Sequence, residues 1–159
     1  MIGAFYGDFF GWVNLLGLLL QAFVVSRLFK YVGVRGALFA LPLIALGSYS
    51  LMAFIPILSV VRVAKVLENS TDYSIQNTAR HALFLPTSRE AKYKAKAAID
   101  TFFWRAGDMM QAGFVLVGTW FSFSSRHYAW VNILLVCLWL ILIVEIYREH
   151  KKMVRNTSP

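Results

Sequence analysis

Charged and amide side chains recur at helical spacing within one long hydrophobic segment, residues 57–85, and these side chains could bind a solute. At about 100° per residue they fall within roughly 100° of arc on one side of a helix. We refer to them as the polar stripe: Arg62, Lys65, Asn69, Asp72, Tyr73, Gln76 and Arg80. Guanidinium groups bind phosphate or carboxylate in bidentate fashion, and ammonium groups bind them as point charges. The polar stripe therefore predicts a surface for an anionic solute.

The next segment, residues 97–122, carries a second polar face. A charge at the centre of a bilayer costs about 3 kcal/mol on insertion scales, so such residues normally face a bundle interior or a watery cavity. Together the two faces predict a lined pathway. Its expected substrate-binding residues are Arg62, Lys65, Asp72, Gln76, Arg80, Asp100, Arg105, Asp108 and Gln111.

The residue types also predict roles along this pathway. The cations would bind the anion, the carboxylates would hold those cations or exchange salt-bridge partners between two states, and Gln76 and Gln111 would orient a base or sugar. A structural interpretation remains open, in which Asp100 or Asp108 neutralises a cation of the preceding segment so that two helices can pack. The surplus of cations over Asp72 in the polar stripe favours binding.

The elements that must position these residues are hydrophobic helices. Of the 159 residues, 58% are hydrophobic and only 15% are charged, which is not the composition of a soluble globule. Five segments are long enough to cross a hydrocarbon core that needs roughly 20 helical residues. We predict an all-α integral membrane protein with one membrane domain, 1–159, whose spans lie at about 9–29, 36–54, 57–85, 97–122 and 128–147.

The basic residues outside these segments predict the orientation. They flank the first and third connections and fill the segment 148–159, whereas the second and fourth connections contain only Arg126. By the positive-inside rule, the first and third connections and the basic tail 148–159 are cytoplasmic, and the N-terminus lies on the other side. Lipid topology accounts for the net charge of +8, so we expect no nucleic-acid partner.

Motifs of covalent chemistry are missing from the sequence. It contains no P-loop, no dinucleotide-binding glycine pattern, no zinc-protease motif and no nucleophile elbow. Cys137 is the single cysteine, and the three histidines have no second ligand at metal spacing. We therefore expect neither an enzyme, nor a cofactor, nor a metal site.

The number and order of the segments resemble part of a major facilitator transporter. Each half of such a transporter has six helices that begin and end on the cytoplasmic side. Removing the first helix of a half leaves the topology predicted here. The chain thus resembles an incomplete six-helix half.

A more specific resemblance lies in Asp72-Tyr73-Ser74, followed by Arg80, by the turn Leu83-Phe84-Leu85-Pro86, and by Lys94-Ala95-Lys96-Ala97-Ala98-Ile99-Asp100 and Arg105. About forty residues here resemble the ATP/ADP translocase family, the nucleotide transporters of plastids and intracellular bacteria. Arg80, Lys96, Asp100 and Arg105 match the family pattern, and Asp72 stands where the family has lysine. The resemblance implies the last five of twelve major facilitator helices, in a bacterial inner membrane.

The sequence therefore predicts a secondary transporter, or its C-terminal part, that moves an anionic metabolite by alternating access. The resemblance makes ATP/ADP exchange one candidate activity. Because rocking requires a second bundle, we expect a missing N-terminal half or another membrane chain as partner, beside the lipid bilayer. The alternative is a non-transporting membrane subunit or a decayed transporter fragment whose polar helix faces pair with a partner chain.

Overall fold

The chain folds into five continuous helices, and no strand occurs in the part that the structure describes. The structure is a computed structural model and describes residues 2–157. The second helix is Gly33–Phe54 and the fifth is Ser125–Thr157. Each of the other three helices consists of two α-helical parts joined by one π-helical turn.

The three π turns divide the first, third and fourth helices. The first helix runs through Ile2–Leu19, the π turn Leu20–Val24, and Val25–Tyr31. The third helix runs through Leu58–Thr71, the π turn Asp72–Gln76, and Asn77–Leu83. The fourth helix runs through Arg89–Ala98, the π turn Ile99–Phe103, and Trp104–Trp120.

These helices confirm the all-α membrane fold. By length and composition alone, three of them are able to cross a membrane: Gly3–Tyr31, Gly33–Phe54 and Ser125–Arg155. The third and fourth helices carry the charges of the two polar faces, so hydropathy does not identify them as spans. It stays a prediction that these two helices cross the membrane. The positions of the five spans and the cytoplasmic location of the basic tail stay predictions too.

Backbone signals at the helix ends explain where the chain turns. Gly33 separates the first two helices with φ of +68°, a left-handed conformation that favours glycine because it has no Cβ. At the start of the fourth helix, the hydroxyl of Ser88 accepts a hydrogen bond from the backbone N–H of Ala91 at 3.3 Å. This N-cap satisfies one of the free N–H groups of the first turn.

The second helix is the centre of the bundle. It packs against the third and fifth helices, and the third helix packs in turn against the first. A cluster of six buried residues joins all four of these helices: Val25, Ala37, Leu38, Ile75, Ala79 and Ile143. The fourth helix stands apart, since Gly118 is its only buried residue between positions 89 and 120.

Candidate functional site

Arg62, on the third helix, places its side chain against the beginning of the first helix. Its guanidinium carbon is 4.9 Å from the centroid of the Phe5 ring, and one of its terminal nitrogens is 4.0 Å from a carboxylate oxygen of Asp8. The side chain of Asp8 is 75% exposed, so this pair is weak and leaves the arginine able to take another anion.

Lys65 points to the second helix instead. Its ammonium nitrogen donates to the hydroxyl of Tyr49 and is paired with a carboxylate oxygen of Glu68, both at 2.9 Å. It also lies 4.7 Å from the centroid of the Tyr49 ring. We refer to these three residues as the Tyr49 cluster. Helical spacing of three residues could have revealed Glu68 as the partner of Lys65, whereas nothing in the sequence revealed Tyr49.

The π turn Asp72–Gln76 lies in the middle of the polar stripe. A π turn closes its hydrogen bonds over one more residue than an α-helical turn, so it shifts all later residues around the helix axis. Asp72 and Gln76 are half-buried. Among the described residues, the side-chain oxygen of Gln76 is the one buried polar side-chain atom without a hydrogen-bond partner.

Arg80 follows this π turn and faces the fourth helix. It donates to the side-chain oxygen of Asn77 at 3.2 Å, and its guanidinium carbon lies 6.0 Å from the centroid of the Trp104 ring. The three cations of the polar stripe thus face three different neighbours: the first, second and fourth helices.

Polar residues of the first and third helices line a groove of about 380 Å³, which we refer to as the amide groove. Its residues are Val13, Asn14, Gly17, Leu18, Gln21, Tyr73, Asn77 and Thr78. The hydroxyl of Thr78 donates to the backbone oxygen of Ser74 at 2.9 Å, and the side-chain oxygen of Gln21 lies 3.4 Å from the same hydroxyl across the groove. Its lining contains amides, hydroxyls and apolar groups but no charged side chain.

Close approach of the two helices forms the floor of this groove. The buried hydroxyl of Ser70 donates to the backbone oxygen of Val66 at 2.6 Å and also lies 3.2 Å from the backbone oxygen of Val13 on the first helix. A Cβ atom on Gly17 would lie 3.8 Å from the backbone oxygen of Ser70, an ordinary van der Waals distance, so this contact has room for alanine as well as for glycine. Small residues that let backbones approach are typical of helix contacts in lipid.

Sequence reasoning missed most of the amide groove. It treated the first segment as nearly apolar and therefore did not select Asn14 and Gln21. These residues are seven positions apart and hence on one side of a helix, which was the available signal. Asn77 and Thr78 were left off the polar stripe because a constant 100° per residue ignores the π turn before them.

Within the described part of the chain, no hydrogen bond or ion pair joins the four predicted site residues of the fourth helix to the polar stripe. Asp100, Arg105, Asp108 and Gln111 are all exposed. Asp108 and Gln111 line a shallow hollow on this helix. The carboxylates that pair with Arg62 and Lys65 are those of Asp8 and Glu68, rather than those of the fourth helix. The side chains of these four residues are thus accessible on the surface of the fourth helix.

Comparisons with known proteins give one family. The model of the TLC ATP/ADP transporter family matches residues 23–150. ADP,ATP carrier protein 5 of Rickettsia felis is 32% identical over 100 residues, covering 59% of this chain and 20% of that protein. ADP,ATP carrier protein 1 of Chlamydia pneumoniae is 24% identical over 161 residues, covering 86% of this chain and 31% of that protein.

The chain spans between about a fifth and a third of the length of these curated relatives. No solved structure matches it. The family match nevertheless extends from residue 23, in the first helix, to residue 150, in the fifth. It includes all third-helix residues that line the amide groove, Tyr73, Asn77 and Thr78, whereas the first-helix wall of the groove, residues 13–21, lies before it. The chain belongs to the TLC ATP/ADP transporter family.

Proposed function

We propose that this chain forms part of a secondary membrane transporter that moves nucleotides by alternating access, with ATP/ADP exchange as its activity. The family match supports the transporter class, and the names of the relatives, ADP,ATP carrier proteins, support the substrate. The reaction is movement of a solute, so no covalent step is assigned to any residue.

One observation carries the assignment of the site: Asn77 belongs both to the amide groove and to the hydrogen bond that holds Arg80. A neutral groove that can donate and accept hydrogen bonds suits a nucleobase and its ribose. A guanidinium group at the edge of the groove suits the phosphates. A nucleotide carries both parts within one molecule.

The other cations have different roles in this proposal. Arg62 is available to a phosphate because its partner Asp8 is largely exposed. Lys65 is held by Tyr49 and Glu68, so it stabilises the contact between the second and third helices rather than offering a free ammonium group to the solute. Asp72 lies on the same helix as Arg80 and partly balances its positive charge. Gln76 offers its unpaired buried side-chain oxygen to a hydrogen-bond donor of the solute.

The opposite wall of the pathway comes from further helices. Alternating access requires a second bundle across the cavity. That bundle would be supplied by another part of a longer carrier or by another membrane chain. The exposed polar residues of the fourth helix would face it: Asp100, Arg105, Asp108 and Gln111. We further propose a bacterial inner membrane and a cytoplasmic C-terminus, which the concentration of basic residues in alternate connections supports.

A binding measurement tests this assignment. The chain, reconstituted into lipid nanodiscs, should bind labelled ADP and ATP in mutual competition. Arg80→Ala should weaken this binding by about tenfold to a hundredfold, since a hydrogen bond to a charged group contributes about 1.5–3 kcal/mol. Arg126→Ala removes an equal charge from an exposed site at the start of the fifth helix and should leave binding unchanged.

Two results would contradict the proposal. Absence of saturable nucleotide binding would contradict the assignment of the amide groove as a nucleotide site. Equal losses in the Arg80→Ala and Arg126→Ala variants would mean that net charge, rather than the edge of the amide groove, attracts the nucleotide.

A further inference from the structure

A second concentration of positive charge lies at the end of the bundle where the first helix passes into the second. The last turns of the first helix carry Arg27 and Lys30, and the first turn of the second helix carries Arg35. The end of the fifth helix brings four more cations. We refer to the seven exposed residues as the basic collar: Arg27, Lys30, Arg35, Arg148, Lys151, Lys152 and Arg155.

Direct contacts show that the fifth helix reaches this end of the bundle. At one end of the helix pair, the rings of Phe54 and Trp130 are 6.1 Å apart. At the other end, the guanidinium carbon of Arg35 lies 5.4 Å from the centroid of the Tyr147 ring. The second and fifth helices are therefore antiparallel, and the cations after Tyr147 lie at the level of Arg35 and beyond it.

The fifth helix is too long for the hydrocarbon core alone. Its apolar stretch and basic end, Ser125–Arg155, comprise 31 residues, which correspond to about 46 Å. A bilayer core is about 30 Å thick, so roughly three turns of helix extend into the region of the lipid headgroups. On these turns Arg148, Lys151, Lys152 and Arg155 fall within about 100° of arc, on a single side of the helix.

Local ion pairs use only part of this charge. Arg148 is 2.7 Å from a carboxylate oxygen of Glu145, and Lys152 is 2.6 Å from one of Glu149. Within the described part of the chain, no ion pair is found for the remaining five collar residues: Arg27, Lys30, Arg35, Lys151 and Arg155. These exposed cations are therefore available to anionic groups from outside the bundle.

We propose that the basic collar binds the phosphodiester headgroups of anionic membrane lipids. Clusters of four to eight Lys and Arg residues directly beyond a membrane helix are typical of such binding. The fifth helix packs along the second helix, away from the amide groove, and its basic end extends past the hydrocarbon core at headgroup depth. The collar is therefore a lipid site that is separate from the nucleotide path.

Native mass spectrometry of the full chain tests this proposal. The chain would be released from micelles that contain equal amounts of phosphatidylglycerol and phosphatidylcholine, and should retain mainly phosphatidylglycerol. The triple variant Arg35→Gln/Lys151→Gln/Arg155→Gln should lose this retention about tenfold or more, because each cation near an anionic surface contributes independently. Its helical circular dichroism should be unchanged.

The fourth helix offers a matched control on the same predicted side of the membrane. Arg89→Gln/Lys92→Gln/Lys94→Gln removes three charges that spread over about 200° of arc around the helix, one of which is paired with Glu90 at 2.6 Å, and it should reduce lipid retention less than the collar variant does. Should the collar triple variant lose helicity, the single exposed change Lys151→Gln replaces it, with an expected severalfold loss.

Three outcomes would overturn the proposal: equal retention of the two lipids by the unmodified chain, equal losses in the two triple variants, or displacement of phosphatidylglycerol by millimolar inorganic phosphate. The last would identify a site for free phosphate rather than for lipid. Nucleotide binding should persist in the collar variant, so failure here is distinguishable from failure of the proposed transport function.

Discussion

At the scale of single residues, the three cations of the polar stripe differ in what already binds them. Lys65 is only 34% exposed and Glu68 only 21%, and both reach the hydroxyl of Tyr49. Arg62 and Arg80 instead lie against aromatic rings, Phe5 and Trp104, which satisfy one face of each guanidinium but not its hydrogen-bond donors. The two arginines thus remain available to an anion, and Lys65 stabilises the contact between two helices.

A double-mutant cycle tests this structural role of Lys65. Lys65→Met and Glu68→Gln should each lower the free energy of unfolding by about 1 kcal/mol. The double variant should lose about 1 kcal/mol less than the sum, because the two side chains share one interaction. Thermal unfolding in nanodiscs provides the measurement.

The exposed pair Lys94 and Glu90, 2.6 Å apart, is the matched control. The same exchanges there, Lys94→Met and Glu90→Gln, should show coupling of no more than about 0.5 kcal/mol. Additive losses at Lys65 and Glu68 would mean that the Tyr49 cluster does not act as a unit. Lys65 would then be available to bind an anion.

At the scale of elements, the π turns occur in the first, third and fourth helices, whereas the second and fifth are unbroken. The π turns of the first and third helices contact each other. Each of the three contains at least one polar residue able to face a solute: Gln21, Asp72, Gln76 and Asp100. Single π turns inside α-helices are frequent at functional sites, which agrees with a path along these three helices.

Packing between the fourth and fifth helices depends on one glycine. A Cβ atom on Gly118 would collide with the ring and hydroxyl of Tyr128, which also makes an edge contact with Phe114 at 5.4 Å between centroids. Gly118→Ala should therefore lower the free energy of unfolding by about 1–3 kcal/mol, the usual cost of overpacking. Gly113→Ala, where nothing lies within 4 Å, should be neutral or gain up to about 1 kcal/mol.

Thermal unfolding of both variants in nanodiscs measures the difference. Introducing Gly118→Ala into a Tyr128→Ala background should carry no further loss, because the colliding ring is gone. Equal effects of the two glycine substitutions would show that the fourth and fifth helices are not held together at this contact.

At the scale of the whole molecule, the fourth helix supports the proposal that the described bundle is one wall of a transport path. Its exposed residues include Asp108 and Gln111 together with large apolar side chains such as Met109 and Met110, each 77% exposed. Lipid can cover the methionines but not the carboxylate, which costs several kcal/mol in a bilayer without a partner or water. The further bundle proposed above would supply both.

The sequence was sufficient to predict an all-α membrane protein, because long apolar segments have few other stable structures in lipid. Membrane crossing by the third and fourth helices stays a prediction. It could not predict the amide groove. That groove depends on a shift in register at the π turn Asp72–Gln76 and on the close approach of Ser70 to Val13, which are tertiary features. Neither could it assign Tyr49 to Lys65, since the two residues lie on different helices.

Water access to the amide groove is the central claim, and cysteine labelling measures it directly. Cys137 is the single cysteine, so a Cys137→Ser background permits one new thiol at a time. Thr78→Cys lies in the groove, and Leu134→Cys lies on the fifth helix at a position 70% exposed to the expected lipid. We predict that a charged, water-soluble thiol reagent modifies Thr78→Cys, that ATP slows this reaction severalfold, and that Leu134→Cys stays unmodified. A Thr78→Cys thiol as unreactive as that of Leu134→Cys, or one indifferent to ATP, would contradict the account.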